Sequence, residues 1–179
     1  MNQQDNSVKI EKAVKKLIPV HFLLNRYAVT LFNLAVMTIL GLALWDLVQL
    51  LLENSKEVED LEKIMDGSGS IIVAYGIVLE ERESIMQIFG YYPKNKYPNE
   101  ILTDEICYDA GIILLVLGLI IEVVAQFEQI PNTIIDTKGH EPIVFGIGAI
   151  FLFITLMHFL VFCYKLITLK HQPTTNQSN

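Results

Sequence analysis

Asp46, Glu80, Arg82, Glu83, Glu122 and His158 are ionisable residues set within or beside long apolar runs of a 179-residue chain. An isolated charge at the centre of a lipid bilayer costs about 2.5–3.5 kcal/mol on insertion scales, so such groups must be neutral, paired or hydrated. Each state implies a chemistry. Carboxylates and one imidazole staggered from Asp46 through Glu122, Glu80 and His158 to Glu83 would make a proton or cation path. Glu80, Glu122 and His158 would also be the ligand set for a single iron, manganese or zinc ion. The bland use is structural: a polar core, with Arg82 paired to a neighbouring carboxylate, that locks helices in register. Interhelical hydrogen bonds of that kind contribute about 0.6–2 kcal/mol each.

The structural use is the expected one. A di-iron bundle needs paired Glu-x-x-His motifs, and no E-x-x-H occurs anywhere in the sequence. A bis-histidine haem needs a second histidine at the depth of His158, whereas His21, His140 and His171 lie at the ends of the apolar runs. Cys107 and Cys163 are too few for a structural zinc or iron–sulfur site and read as reduced thiols. Asp136, His140 and Glu141 read as a solvated acidic rim. No cofactor is expected.

The elements that must position these residues follow from composition. Hydrophobic residues make up 52% of the chain and charged ones 18%, with a mean hydropathy of +0.42. A soluble domain carries about 25% charged residues. Here the apolar excess is gathered into long runs between short charged segments. These predict an all-α integral membrane protein, a four-transmembrane-helix bundle with spans at about 28–52, 69–89, 110–130 and 142–169. The second is the weakest, because Glu80, Glu81, Arg82 and Glu83 interrupt it, and it crosses only if the other three shield it. The first run is too long for the apolar core of a signal peptide and reads as a retained span.

Outside the single 28–169 membrane domain, residues 1–27 read as a polar tail and a basic amphipathic interfacial helix. Lys9, Lys12 and Lys16 there face anionic lipid headgroups, each near-surface lysine contributing about 1 kcal/mol. Residues 170–179 read as a disordered cytoplasmic tail. A short acidic helix is expected over 55–66, and the GSGS at 67–70 is expected as a loop leading into the second span. With both termini inside, ten of the thirteen Lys and Arg residues fall on the cytoplasmic side, the bias expected of a plasma or inner membrane protein.

Small residues mark packed faces in membranes. Gly111, Gly118 and Ala125 repeat every seven residues in the third span, with Glu122 on nearly the same face. Gly69, Gly76, Glu83 and Gly90 do the same in the second, and Gly148, Thr155, His158 and Lys165 mark the fourth. Ala35, Thr38, Leu42, Asp46 and Gln49 form a weaker seam in the first. Placing these seams inward gives a mid-membrane cluster of Glu80, Glu122 and His158, with Asp46 nearer the outer side.

The function classes narrow accordingly. The net charge of −7 and the lack of a basic stripe argue against nucleic acid as a partner. No P-loop, G-x-G-x-x-G or G-x-S-x-G is present, and no soluble domain is left to hold one. The reading is a small, non-catalytic membrane protein that packs as an accessory or structural subunit, against other membrane-protein subunits or its own copies. An oligomeric proton or cation channel, or a proton-coupled transporter, is the second reading. A membrane-bound metal or redox enzyme is the third.

Overall fold

The computed structural model describes residues 26–52, 58–88, 98–129 and 141–168. All of them are helical but one: α1 (Arg26–Leu52), α2 (Val58–Glu80), α3 (Arg82–Ile88), α4 (Pro98–Gln129) and α5 (Glu141–Thr168). Lys9, Lys12 and Lys16, with the interfacial helix and the C-terminal tail expected around the domain, lie outside the described residues, as do Asp136 and His140.

Among the described residues, three helices are long and apolar enough to cross a membrane: Tyr27–Leu52, Ile101–Phe127 and Pro142–Thr168. The chain is an all-α membrane protein. The first and last of these coincide with the expected spans. The middle one begins nine residues before the expected 110, because α4 starts at Pro98. Proline suits a first helical position, where its missing N–H is no loss. Thr103, Cys107 and Ala110 then fall on one buried face, which carries the helix through a polar sequence.

The second element departs most from its expected form. Residues 58–80 form one helix, so the acidic segment and the GSGS stretch are a single element rather than a short helix and a loop. Glu59 and Asp60 lie in its first turn, where negative charge complements the helix dipole. The Ser68 hydroxyl donates to the Ile64 carbonyl at 2.6 Å. Glycine here permits a close approach instead of a turn. A Cβ at Gly69 would sit 3.2 Å from the Gly118 carbonyl oxygen and 2.7 Å from Cγ of Glu122. A Cβ at Gly76 would sit 2.9 Å from the Gly111 oxygen. The two seven-residue glycine repeats therefore face each other, and α2 and α4 meet backbone to backbone over two turns.

The hydrogen-bond ladder also continues through Glu81. The Glu81 amide donates to the Ile77 oxygen and the Ile85 amide to the Glu81 oxygen, both at 2.9 Å. α2 and α3 thus form one continuous rod of roughly 45 Å.

Contacts fix the directions. Gly69 opposite Gly118 and Gly76 opposite Gly111 make α2 and α4 antiparallel. Met65 packs on Gly148 while Tyr75 stacks on Phe159, so α2 and α5 run the same way. Near its start, α1 meets the far end of α2, where Tyr75 donates a hydrogen bond to Asn33. Leu40 and Leu47, further along α1, are fully buried, so α1 must turn back along the others. α1 and α4 therefore point one way and α2 and α5 the other. Leu40, Leu47, Ile72, Leu114, Leu152 and Phe159 form the centre of the core.

Candidate functional site

The packing register, more than the depth of each residue in its own helix, decides which polar groups meet. Glu122 lies opposite Gly69, and its carboxylate accepts a hydrogen bond from Ser70 at 2.7 Å. Nearby, the Gln126 amide reaches Asp66 at 3.5 Å. Glu80 is eleven residues further along α2, opposite Gly111, about 16 Å from the level of Glu122. His158 packs at that second level, with its imidazole at the Ala110 backbone. The expected cluster of Glu80, Glu122 and His158 is therefore not assembled. Among the described residues no three His, Cys, Asp or Glu side chains come together to hold a metal ion.

At the end of the bundle where α3 meets α4, Arg82 forms an ion pair with Asp104, the two side chains being only 5% and 10% exposed. The carboxylate expected beside Arg82 was one near it in sequence; the longer α4 brings Asp104 to it as well, a residue whose role needed the helix to begin at Pro98. Beside this pair an open cleft of ≈ 310 Å³ is lined by Glu80, Glu83, Ile101, Asp104, Glu105 and Tyr108. Glu83 also accepts from Gln87 at 2.9 Å, one turn along.

The polar centre of the core is Asn33 with Tyr75. Asn33 is 0% exposed, accepts the Tyr75 hydroxyl at Oδ1, and leaves its Nδ2 without a partner. Cys163 lies beside that amide, but a thiol is a weak acceptor. His158, half-buried at about the same level, also has an enclosed ring nitrogen, Nε2, without a partner. A polar residue inside an apolar run was the available signal for both Asn33 and Tyr75.

α1 reverses its expected orientation. Its buried face is Val29, Asn33, Val36, Leu40 and Leu47, while Ala35, Thr38, Leu42, Asp46 and Gln49 are all exposed. Asp46 makes no ion pair with any described residue. The Thr38 hydroxyl is bonded at 2.8 Å to the Leu34 carbonyl of its own helix. The seams of the other helices do face inward: Gly111, Gly118, Ala125, Gly69, Gly76, Gly148 and Thr155 are all buried. Glu83, Glu122 and His158 on these seams are half-buried, Lys165 is exposed at the end of α5, and Gly90 lies outside the described residues.

Comparison with protein-family models, with curated proteins and with solved structures found no match. The functional reading therefore rests on geometry alone.

Proposed function

We infer that this protein is a non-catalytic membrane subunit of four crossings that packs against other membrane helices through the outer face of α1. The observation that carries the reading is the exposure of Thr38, Asp46 and Gln49 on a helix otherwise apolar enough to span. Polar side chains in spanning segments face protein or water far more often than lipid. Of the three apolar spans, α1 is also the least covered by the rest of the chain.

The fourth crossing is supported by direction. α1 and α4 point the same way, so a chain that crosses in both must return between Leu52 and Pro98. α2, continuing into α3, is the segment available, lying along α4 from the level of Gln126 to that of Asp104. Four crossings put both ends of the domain on one face, and the lysines before and after it favour the cytoplasmic side of the plasma or inner membrane.

The test is a photo-crosslinking residue at Leu42, on the polar face, compared with one at Ile150, an exposed apolar position of α5. Protein adducts from position 42 and lipid adducts from 150 are expected in native membranes. Lipid adducts alone from both would remove the reading. A proton or cation path is the second reading, favoured by the open cleft that brings solvent to Glu80 and Glu83. Glu80→Gln and Glu122→Gln proteins that assemble normally but lose flux in proteoliposomes would put that reading first.

A further inference from the structure

We propose that water enters the bundle along the seam between α2 and α4, from the end where α2 begins, as far as the Ser70–Glu122 hydrogen bond. This inference rests on the four-crossing reading and assigns what lies against the first half of α2.

The exposed residues of α2 carry the argument. From Glu59 to Ser70 they are Glu59, Asp60, Lys63, Gly67 and Ser70, and no described large apolar side chain of α2 is exposed before Ile71. The neighbouring helices differ at the same levels. Met65 packs on Gly148 and α2 runs with α5, so Gly67 is level with the exposed Ile150. Val123 and Phe127 are likewise exposed on α4. Lipid suits α4 and α5 at a level where α2 offers charge, hydroxyl and bare backbone.

Depth follows from the same register. Ser70 is about 16 Å along the axis from Pro142, where the α5 span starts. Glu122 is about 8 Å from Phe127, where the α4 span ends. The polar strip thus continues below the level at which its neighbours become apolar.

The groups along it favour water. Glu59 and Lys63 meet each other at 2.8 Å while both stay exposed, so neither calls for an outside charge. A Cβ at Gly67 would meet nothing within 4 Å, and the space over it is open. Deeper, Gln126 reaches Asp66 and Ser70 donates to Glu122, two rungs one turn apart on both helices. A carboxylate has room for about four hydrogen bonds, so both rungs keep capacity that water fills and lipid cannot.

The inlet is closed at its inner end. A Cβ at Gly118 would come within 2.8 Å of Val73 Cγ2, and one at Gly76 within 2.9 Å of the Leu115 amide nitrogen. That contact leaves no passage between the helices. Beyond it, the cleft of Glu80, Glu83, Asp104 and Tyr108 opens from the other end. The two openings share one face of α4, because Asp104 and Tyr108 are each about five whole turns from Glu122 and Gln126. A proton or cation path along this seam has to part Val73 and Leu115 from the glycines beneath them.

The experiment places a nitroxide amino acid at Gly67, Ile77 or Ile150 of the full chain by stop-codon suppression, which leaves Cys107 and Cys163 untouched. In phosphatidylcholine vesicles, collisional relaxation by a water-soluble nickel chelate is compared with relaxation by oxygen, which concentrates in lipid. The nickel-to-oxygen ratio at position 67 is expected to exceed that at 150 about tenfold, because a hydrated ion enters hydrocarbon poorly. Position 77, exposed on α2 beyond Val73, is expected to match 150. Equal ratios at 67 and 150 overturn the inlet. Low collision rates with both relaxants at 67 overturn it in favour of a second copy packed on α2.

Sidedness separates this outcome from failure of the crossing itself. In sealed, uniformly oriented vesicles, Lys63→Cys and Ser84→Cys are expected to react with an impermeant maleimide from opposite faces, above the reaction of the native protein. Reaction of both from one face overturns the four-crossing reading and the inlet with it. Reaction from opposite faces, with equal ratios at 67 and 150, overturns the inlet alone.

Discussion

Arg82 and Asp104 pair across the α3–α4 contact with both side chains almost wholly removed from solvent. Taking two charges out of water is costly, and breaking one half of such a pair is costlier, because the other charge is left uncompensated. Arg82→Leu is expected to lower the stability of the protein in detergent micelles by about 3–5 kcal/mol, measured by equilibrium unfolding. The double variant Arg82→Leu, Asp104→Leu is expected to recover most of that loss. Equal destabilisation by the single and double variants would show that the pair contributes nothing beyond side-chain packing.

The glycine seam makes a sharper distinction between positions. A Cβ at Gly111 would lie 2.6 Å from the Glu80 amide nitrogen and 2.7 Å from the Gly76 oxygen, and backbone cannot step aside as a flexible side chain can. Gly111→Ala is expected to cost about 1–3 kcal/mol by forcing α2 and α4 apart. Gly146→Ala, at a position with open space, is expected to be neutral or to stabilise by up to about 1 kcal/mol through helix propensity. Similar effects at the two sites would argue against backbone contact between the helices.

Tyr75→Phe removes the donor to Asn33 Oδ1 and leaves the whole Asn33 amide without a strong partner. A buried polar group in that state costs about 1–3 kcal/mol. Asn33→Leu combined with Tyr75→Phe is expected to lie closer to the native stability than Tyr75→Phe alone. The comparison is an unfolding curve for each of the three proteins.

The start of α2 offers a titration. A hydrogen bond from Lys63, reinforced by its charge, holds the Glu59 carboxyl below its ordinary 4.5, and the same contact raises Lys63 above 10.5. A depressed carboxyl pKa contributes stability above the unfolded value, lost as pH falls through the folded one; the raised lysine contributes below 10.5, lost as pH rises through its folded value. Both groups are exposed, so the effect is local and screened by salt. Lys63→Met is expected to move the Glu59 midpoint upward in a carboxyl NMR titration, and molar salt is expected to move it the same way. An unchanged midpoint would mean the contact is not populated.

Much of the packing could be read from the sequence because membrane helices leave a mark where they touch. Gly111, Gly118 and Ala125, and Gly69 with Gly76, were legible as inward residues, and they are buried. Turn composition misled at Gly67–Ser70, where glycine and serine imitate a loop although all four residues are helical and Gly69 packs on the α4 backbone. The small-residue rule misled on α1, where small and polar residues were taken to face the chain's own core, whereas Val36, Leu40 and Leu47 do so. The level at which Glu80, Glu122 and His158 sit was not legible. Depth within one helix says nothing about register between two, and that register follows from which glycines interlock.

The contact of α2 with α4 bears on how the protein is made. On the four-crossing reading, α2 brings Asp66, Ser68, Ser70, Glu80 and the Arg82 junction toward the bilayer, and its partners for several of them are on α4. α4 is synthesised later. An emerging α2 thus has little reason to leave the translocation machinery for lipid by itself. On that reading its release would be coupled to the arrival of a helix not yet translated, and the two would enter the bilayer as a hairpin. Biogenesis of this small chain would then follow the order of its contacts and not simply the order of its codons.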